Sequence, residues 1–335
     1  MPARSIPILT LDRMTAGQEA DLFLLLVARD ELPTRDGKRY LRVTFRDATG
    51  EIGFPIWNDA PLAEECRTAW RPGTFYKVRG IYRESHYGPQ LDIQRIREVT
   101  PADEADGFDP SMCRARSRHD PQEMFAQLVA MAQQQIGHPP VRGLVLDLLE
   151  ANRDALLKLP AAERNHHSYG GGWLEHTLAT TRTVLFLADQ YLAAYPDLQP
   201  PLDRDLLVAG AMVHDIGKVR ELNATVTGAE TTAAGHLLGH IVQGRDMVRE
   251  AAVDRELDAE WLLRLEHLML AHQGSAEHGS PVLPMTPEAM LVHFADDIDA
   301  KFHMLYVALR DDTADGPVTS KKNVLMRAVY RGTRG

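Results

Sequence analysis

The spacing of apolar residues changes once along this chain, and that change limits the possible folds more than any other feature. Between residues 20 and 99 apolar and polar side chains alternate, as in KRYLRVTFRD and TFYKVRGIYRE, with turn signals RDGKR, DATGE and RPGT in between. A period of two marks half-buried strands. From residue 121 the pattern becomes helical, as in PQEMFAQLVAMAQQQI and PPVRGLVLDLLEANRDALLKL. The spacing therefore predicts a multidomain chain: a small β-barrel over residues 1–99, then an all-α bundle over 121–311. Five or so strands in this length match the OB-fold. The segment TPADEADGFDPSMCRARSRHD (100–120) has no period and reads as a linker. Residues 312–335 read as a basic tail, because SKKNVLMRAVYRGTRG carries five basic residues and no acid.

A length of 335 residues accommodates two separate cores. No apolar run approaches the roughly 20 residues that span a bilayer, and the opening MPARSIPILTLDRM lacks a signal-peptide core. Cys66 and Cys113 form no disulfide or thiolate pattern, so two reduced thiols in a cytoplasmic protein are expected, with no membrane partner. The net charge of −10 argues against indiscriminate binding of polyanions, but it is unevenly spread: residues 1–100 hold 15 Lys/Arg against 14 Asp/Glu.

Phasing the strands separates two faces. With Leu41, Val43 and Phe45 inward, Tyr40, Arg42, Thr44 and Arg46 point outward; with Ile52, Phe54, Ile56, Val78 and Gly80 inward, Trp57, Phe75, Lys77 and Arg79 point outward. Aromatics among arginines provide π-faces for bases and cations for phosphates, as a single-stranded nucleic-acid platform requires. The same face also fits a solvated strand surface with some aromatics packed on a neighbour.

The helical half holds most of the histidines, several in apolar surroundings: NHHSYGGGWLEHT, AMVHDIGKVREL, GHLLGHIV, LEHLMLAHQGS and VHFADDIDAKFH. A lone buried imidazole is usually a satisfied core residue. A set distributed over several helices can meet at one point, as in bundle metal sites. Imidazoles and carboxylates without thiolates suit Mn²⁺, Fe²⁺, Zn²⁺, Ni²⁺ or Mg²⁺. Adjacent helical side chains diverge by about 100°, so His214 and Asp215 converge on a site only if the helix ends there, and Gly217 reads as its stop. Asp215 would then bridge two ions, with Lys218 beside the pocket as a cation for a phosphate oxygen.

The series His176, His214–Asp215, Asp296 resembles the H…HD…D series of the HD superfamily of metal-dependent phosphohydrolases. With LLGHI, LEHLMLAHQGSAEHGSP and TPEAMLVHFADDIDAK behind a barrel, most of residues 20–310 resemble the YhaM-type 3′-to-5′ exoribonucleases. The resemblance implies four core ligands, His176, His214, Asp215 and Asp296, and a second ion helped by His240 and His272. It leaves Asp299 and Lys301 without a defined role and His267 in packing behind the site. Gln273 departs from the family's two consecutive histidines, which puts the strength of the second ion site in question. Two ions, Mn²⁺ foremost, would clamp the attacking and leaving oxygens of a phosphodiester, with Asp215 and Lys218 as the catalytic pair.

His166, His167 and Tyr169 are candidates for contact with the scissile phosphate or terminal ribose, and equally for packing at the helix entry. The implied activity is metal-dependent removal of nucleoside monophosphates from the 3′ end of single-stranded RNA, with single-stranded DNA as a second polymer and a homo-oligomer as one form of the enzyme. Two alternatives stand beside it. One is an HD-type nucleotide or cyclic-dinucleotide phosphohydrolase; the other is a nucleic-acid-binding protein with an impaired metal site.

Overall fold

Five antiparallel strands occupy the period-two half of the chain: β1 (Glu19–Pro33), β2 (Arg39–Arg46), β3 (Glu51–Trp57), β4 (Phe75–Ser85) and β5 (Gly88–Glu98). A short helix, α1 (Ala63–Thr68), lies between β3 and β4. This computed structural model describes residues 6–34, 38–85, 88–113, 116–163, 165–225, 229–312 and 316–332. Part of the RDGKR turn and the last three residues of the tail therefore lie outside the described residues. The chain divides into two units, Met1–Arg116 and Ser117–Gly335.

In the first unit the sheet order is β3-β2-β1-β4-β5, and β3 lies against β5, closing an OB-type barrel. Strand β1 makes this possible. Its first half pairs with β4 and its second half with β2, and a bulge between Leu26 and Ala28 bends it from one to the other. Leu22, Leu24, Leu26, Leu41, Val43, Phe45, Ile52, Phe54, Ile56 and Val78 fill the interior around Trp70.

The structure corrects two expectations here. Residues 100–120 are not a free linker: Pro101–Asp106 and Pro110–Cys113 form 3₁₀ turns within the barrel unit. Asp103, only 2% exposed, accepts two bonds from Arg97 at 2.6 and 2.7 Å, while Phe108 packs its ring 5.1 Å from Phe23 and 5.4 Å from Phe75. Short turns held by side chains leave no periodic signature, and their polar composition imitates a linker.

The second correction concerns the outward face, half of which is already occupied. Lys77 pairs with Asp103 and Asp106, Phe75 lies under Phe108, and Arg79 holds Asp21 through two bonds at 2.7 and 2.8 Å. Arg46 is held by Glu51. Tyr40, Arg42 and Trp57 remain as the open patch; Trp57 is 51% exposed, with its ring 5.2 Å from Tyr40. Phase decides which way a side chain points, not what later covers it.

The second unit is helical: α2 (Pro121–Gln135), α3 (Pro139–Ala151), α4 (Arg153–Leu156), α5 (Gly172–Ala194), α6 (Arg204–Val213), α7 (Lys218–Glu221), α8 (Ala233–Ala252), α9 (Ala259–Ala271) and α10 (Pro287–Asp311), with a two-stranded ribbon of β6 (Leu222–Ala224) and β7 (Ala229–Thr231). Side-chain caps start α2, α6, α8, α9 and α10 at Asp120, Asp203, Thr232, Asp258 and Thr286. Some of the described residues after α10 are tied to one another. Arg331 donates to Asp312 at 2.9 Å with both side chains nearly buried, and Val318 bridges to Tyr330. No helix among the described residues is long and apolar enough to cross a membrane.

Candidate metal centre

Helix α6 determines where the centre lies. Every residue from Leu206 to Val213 is buried, so α6 is surrounded by the bundle and its C-terminal end opens inside the protein. His214 is the cap residue at that end, and Asp215 follows as the helix stops. The buried indole of Trp173 on α5 donates to Asp215 O at 2.9 Å and fixes the turn. Gly217 follows the helix end with an ordinary φ of −62°, and its small size serves a second purpose. A Cβ there would lie 2.0 Å from His240 O and 2.5 Å from Gly244 N. Only glycine lets α8 lie against this turn, and a break at Gly239 (φ 72°) sets His240 facing the centre.

The imidazoles arrive with one nitrogen already committed. His214 and His272 each cap a helix, α6 and α9, and each Nδ1–H donates to the carbonyl three residues back: Ala211 O at 2.9 Å and Met269 O at 2.7 Å. Those carbonyls belong to last turns that lack intrahelical donors. His176 Nδ1 donates to Asp299 Oδ2 at 2.6 Å, and His240 Nδ1 to Glu221 Oε1 at 3.1 Å. None of these acceptors can donate, so each of the four rings in its neutral form holds its proton at Nδ1 and leaves the Nε2 lone pair free, the arrangement typical of metal-binding histidines.

The free atoms face Asp215 from two sides. Its Oδ2 lies 3.7 Å from His176 Nε2 and 3.5 Å from His214 Nε2; its Oδ1 lies 3.3 Å from His240 Nε2 and 3.5 Å from His272 Nε2. Asp296 Oδ1 joins the first group, 3.1 Å from His176 Nε2 but off the hydrogen-bond direction, and 4.0 Å from His214 Nε2. Within each trio, His176–His214–Asp215 and Asp215–His240–His272, the ligand atoms lie within 4.8 Å of one another. The four Nε2 atoms and Asp215 Oδ1 are buried without a hydrogen-bond partner among the described residues. Each such atom costs about 1–3 kcal/mol if nothing satisfies it. Five of them around one point, all nitrogen or carboxylate oxygen, fit divalent cations.

Electrostatics agree with that fit. Burial opposes the Asp215 charge, but Lys218, His214 and His240 hold its carboxyl well below the usual range. Burial also opposes a charge on His176, yet Asp296 and Asp299 push it up to about 10. A pocket that makes an imidazole cationic is negative enough to take a metal ion in place of that proton. Burial pushes His214 down to about 4, leaving it in the neutral form that ligates.

Other sequence-predicted residues take different places. Lys218, 5% exposed, is directed at Asp215 Oδ2 at 2.5 Å instead of standing open to a phosphate. His167 and Tyr169 form an internal network: His167 Nδ1 meets Tyr169 OH at 2.7 Å, His167 Nε2 meets Asp299 at 3.1 Å, and Tyr169 donates to Glu175 at 3.0 Å. His267 accepts from Met285 N and anchors a loop. Beside Gln273, the second trio contains both His240 and His272. The residue-by-residue reading gave no role to Asp299 or Glu221, which hold His176 and His240. Asp299 carried a signal in the DDID run, whereas nothing local marks Glu221.

Residues 173–301 match the HD domain family. Over 293 residues, 88% of each chain, the sequence is 31% identical to the 3′-5′ exoribonuclease YhaM of Bacillus subtilis. The chain belongs to the YhaM family. It is a hydrolase of the HD type, and the two trios lie within the matched HD segment. Among solved structures, the second OB-fold domain of replication protein A from Methanococcus maripaludis matches at 18% identity over 28% of this chain and 94% of that one, with a TM-score of 0.22. An overlap of that size bears no functional weight, and the barrel of this YhaM-family chain rests on its own strand order.

Proposed function

We propose that this chain is a two-metal 3′-to-5′ exoribonuclease that shortens single-stranded RNA, and single-stranded DNA as a second polymer, to nucleoside monophosphates. The observation that carries the reading is Asp215, whose two oxygens each face a separate pair of imidazole Nε2 atoms. His176, His214, Asp215 and Asp296 would hold one ion; Asp215, His240 and His272 would hold the other. Two such ions supply water activation and charge neutralisation at a phosphodiester. Imidazoles with carboxylates admit Fe²⁺, Ni²⁺, Zn²⁺, Mg²⁺ and Mn²⁺, of which Mn²⁺ is our foremost candidate.

The chain's own groups do the rest. Lys218 keeps Asp215 ionised and fixed in orientation, so its role is to position that carboxylate. Tyr40, Arg42 and Trp57 on the barrel offer stacking surfaces and a cation to the strand. The polymer and the polarity of attack come from the likeness to YhaM of Bacillus subtilis, whose name states both. Free buried thiols at Cys66 and Cys113 accord with a cytoplasmic setting.

Incubation with Mn²⁺ and single-stranded RNA labelled at either end, beside nucleoside triphosphates, tests the reading. The 5′-labelled strand should shorten progressively, while the 3′ label is released at once as a mononucleotide. Hydrolysis of mononucleotides alone would replace this reading with a nucleotide phosphohydrolase.

A further inference from the structure

A further imidazole adjoins the four that face Asp215. The ring of His166 lies 5.1 Å from that of His176, tilted by 57°. Its Nε2 is shielded from solvent and has no hydrogen-bond partner among the described residues, the same condition as in the four ligand histidines. Two features separate it from them. It is in neither trio of ligand atoms around Asp215. Among the described residues, no hydrogen bond holds its Nδ1, whereas carbonyls or carboxylates hold the Nδ1 of His176, His214, His240 and His272.

That difference changes what the ring can do. An imidazole whose Nδ1–H is held by an acceptor presents a lone pair at Nε2 and binds a cation. A ring free of that constraint can place its single proton on Nε2 and present a donor. A neutral imidazole so placed has one proton to share. Its neighbours His167 and Tyr169 cannot take the same role, because each is already bonded to the other, and they are tied to Asp299 and Glu175.

We infer that His166 is a catalytic residue whose Nε2–H donates to a non-bridging oxygen of the phosphate at the centre, and is not a metal ligand. The inference rests on the reading of this site as one that cleaves phosphodiesters. As the bond to the leaving oxygen breaks, charge gathers on the non-bridging oxygens, and a fixed donor there stabilises the transition state more than the bound substrate.

The test uses the full chain loaded with Mn²⁺, with His166→Ala and His166→Asn compared with the parent. Metal content, binding of inorganic phosphate by calorimetry, and kcat on RNA are each measured. Metal content should stay at the parent's level. Phosphate affinity should fall by about tenfold or more, as for a lost hydrogen bond to a charged group. The value of kcat should fall by about 10²–10³-fold, with Asn, which keeps a donor, recovering part of both. Loss of metal from His166→Ala would make the residue a ligand and overturn the inference. Unchanged phosphate affinity would reduce it to packing and overturn it equally. If the parent fails to cut RNA, the exoribonuclease reading falls, while the phosphate titrations still decide what His166 does.

Discussion

Asp299 Oδ2 lies 2.6 Å from His176 Nδ1 and 3.1 Å from His167 Nε2, so one carboxylate oxygen ties the first imidazole of the centre to the loop before α5. Asp299 is one turn beyond Asp296 on α10, so the same helix supplies one proposed ligand and the support for another, His176. Replacing Asp299 by Ala should weaken metal binding by about 10–100-fold, with Asn, which keeps an acceptor, losing less. Calorimetric titration with Mn²⁺ checks this, and an unchanged affinity in Asp299→Ala would show that packing alone orients His176.

Glu221 gives the second trio a handle of its own. It receives both the backbone N–H and Nδ1–H of His240, at 3.0 and 3.1 Å, and touches no ligand of the first trio. Glu221→Ala should lower bound metal from about two equivalents to about one, while Asp215→Ala, which removes the shared carboxylate, should lose both. Metal analysis after dialysis against limiting Mn²⁺ separates the cases; equal losses from the two variants would contradict the division into two sites.

The closeness of α8 to the HDIGK turn predicts a steric effect at a position that has no side chain of its own. Gly217→Ala places a methyl group 2.0 Å from His240 O, and backbone cannot yield as a flexible side chain does. The expected loss of stability is about 3 kcal/mol, the upper end of what overpacking costs, read from urea unfolding. A midpoint equal to the parent's would mean that α8 can move away from the turn without cost.

His303 confers a pH dependence on the helical unit. Burial, with His167 against its ring, pushes it down to about 4 from 6.5. The unfolded chain therefore binds a proton that the folded chain refuses between pH 6.5 and 4. Its contribution is complete above that window and is lost as the pH falls through it. His303→Gln, which keeps an acceptor for His167 N (3.2 Å from His303 Nδ1 in the parent), should flatten the stability–pH slope there. Parallel slopes for variant and parent, under the same metal conditions, would refute the assignment.

On the barrel, the open and the occupied residues should behave differently. Arg42→Ala with Trp57→Ala should weaken binding of long single strands by about 1–3 kcal/mol per lost stacked base. It should also make the salt dependence shallower by about 0.7 per lost phosphate contact, while hydrolysis of a short phosphodiester stays intact. Arg79→Ala leaves Asp21 without its two bonds and should register in the melting temperature of the barrel instead. Filter binding at several salt concentrations, beside thermal melts, distinguishes the two sets.

Much of this protein could be read along the chain. The change of apolar period separated barrel from bundle, and alternation set the inward residues of β2 and β3, because both depend only on side-chain spacing within one element. The ligand types and the helix end at His214 were equally local. What the chain could not reveal was contact between elements distant in sequence: Phe108 and Asp103 covering Phe75 and Lys77, Lys218 turned onto Asp215, Glu221 holding His240, Asp299 holding His176. A sequence lists donors and acceptors without saying which of them meet. Only the packing of α5, α8, α9 and α10 around the end of α6 decided which imidazoles present a lone pair to the centre and which one remains free to present a proton.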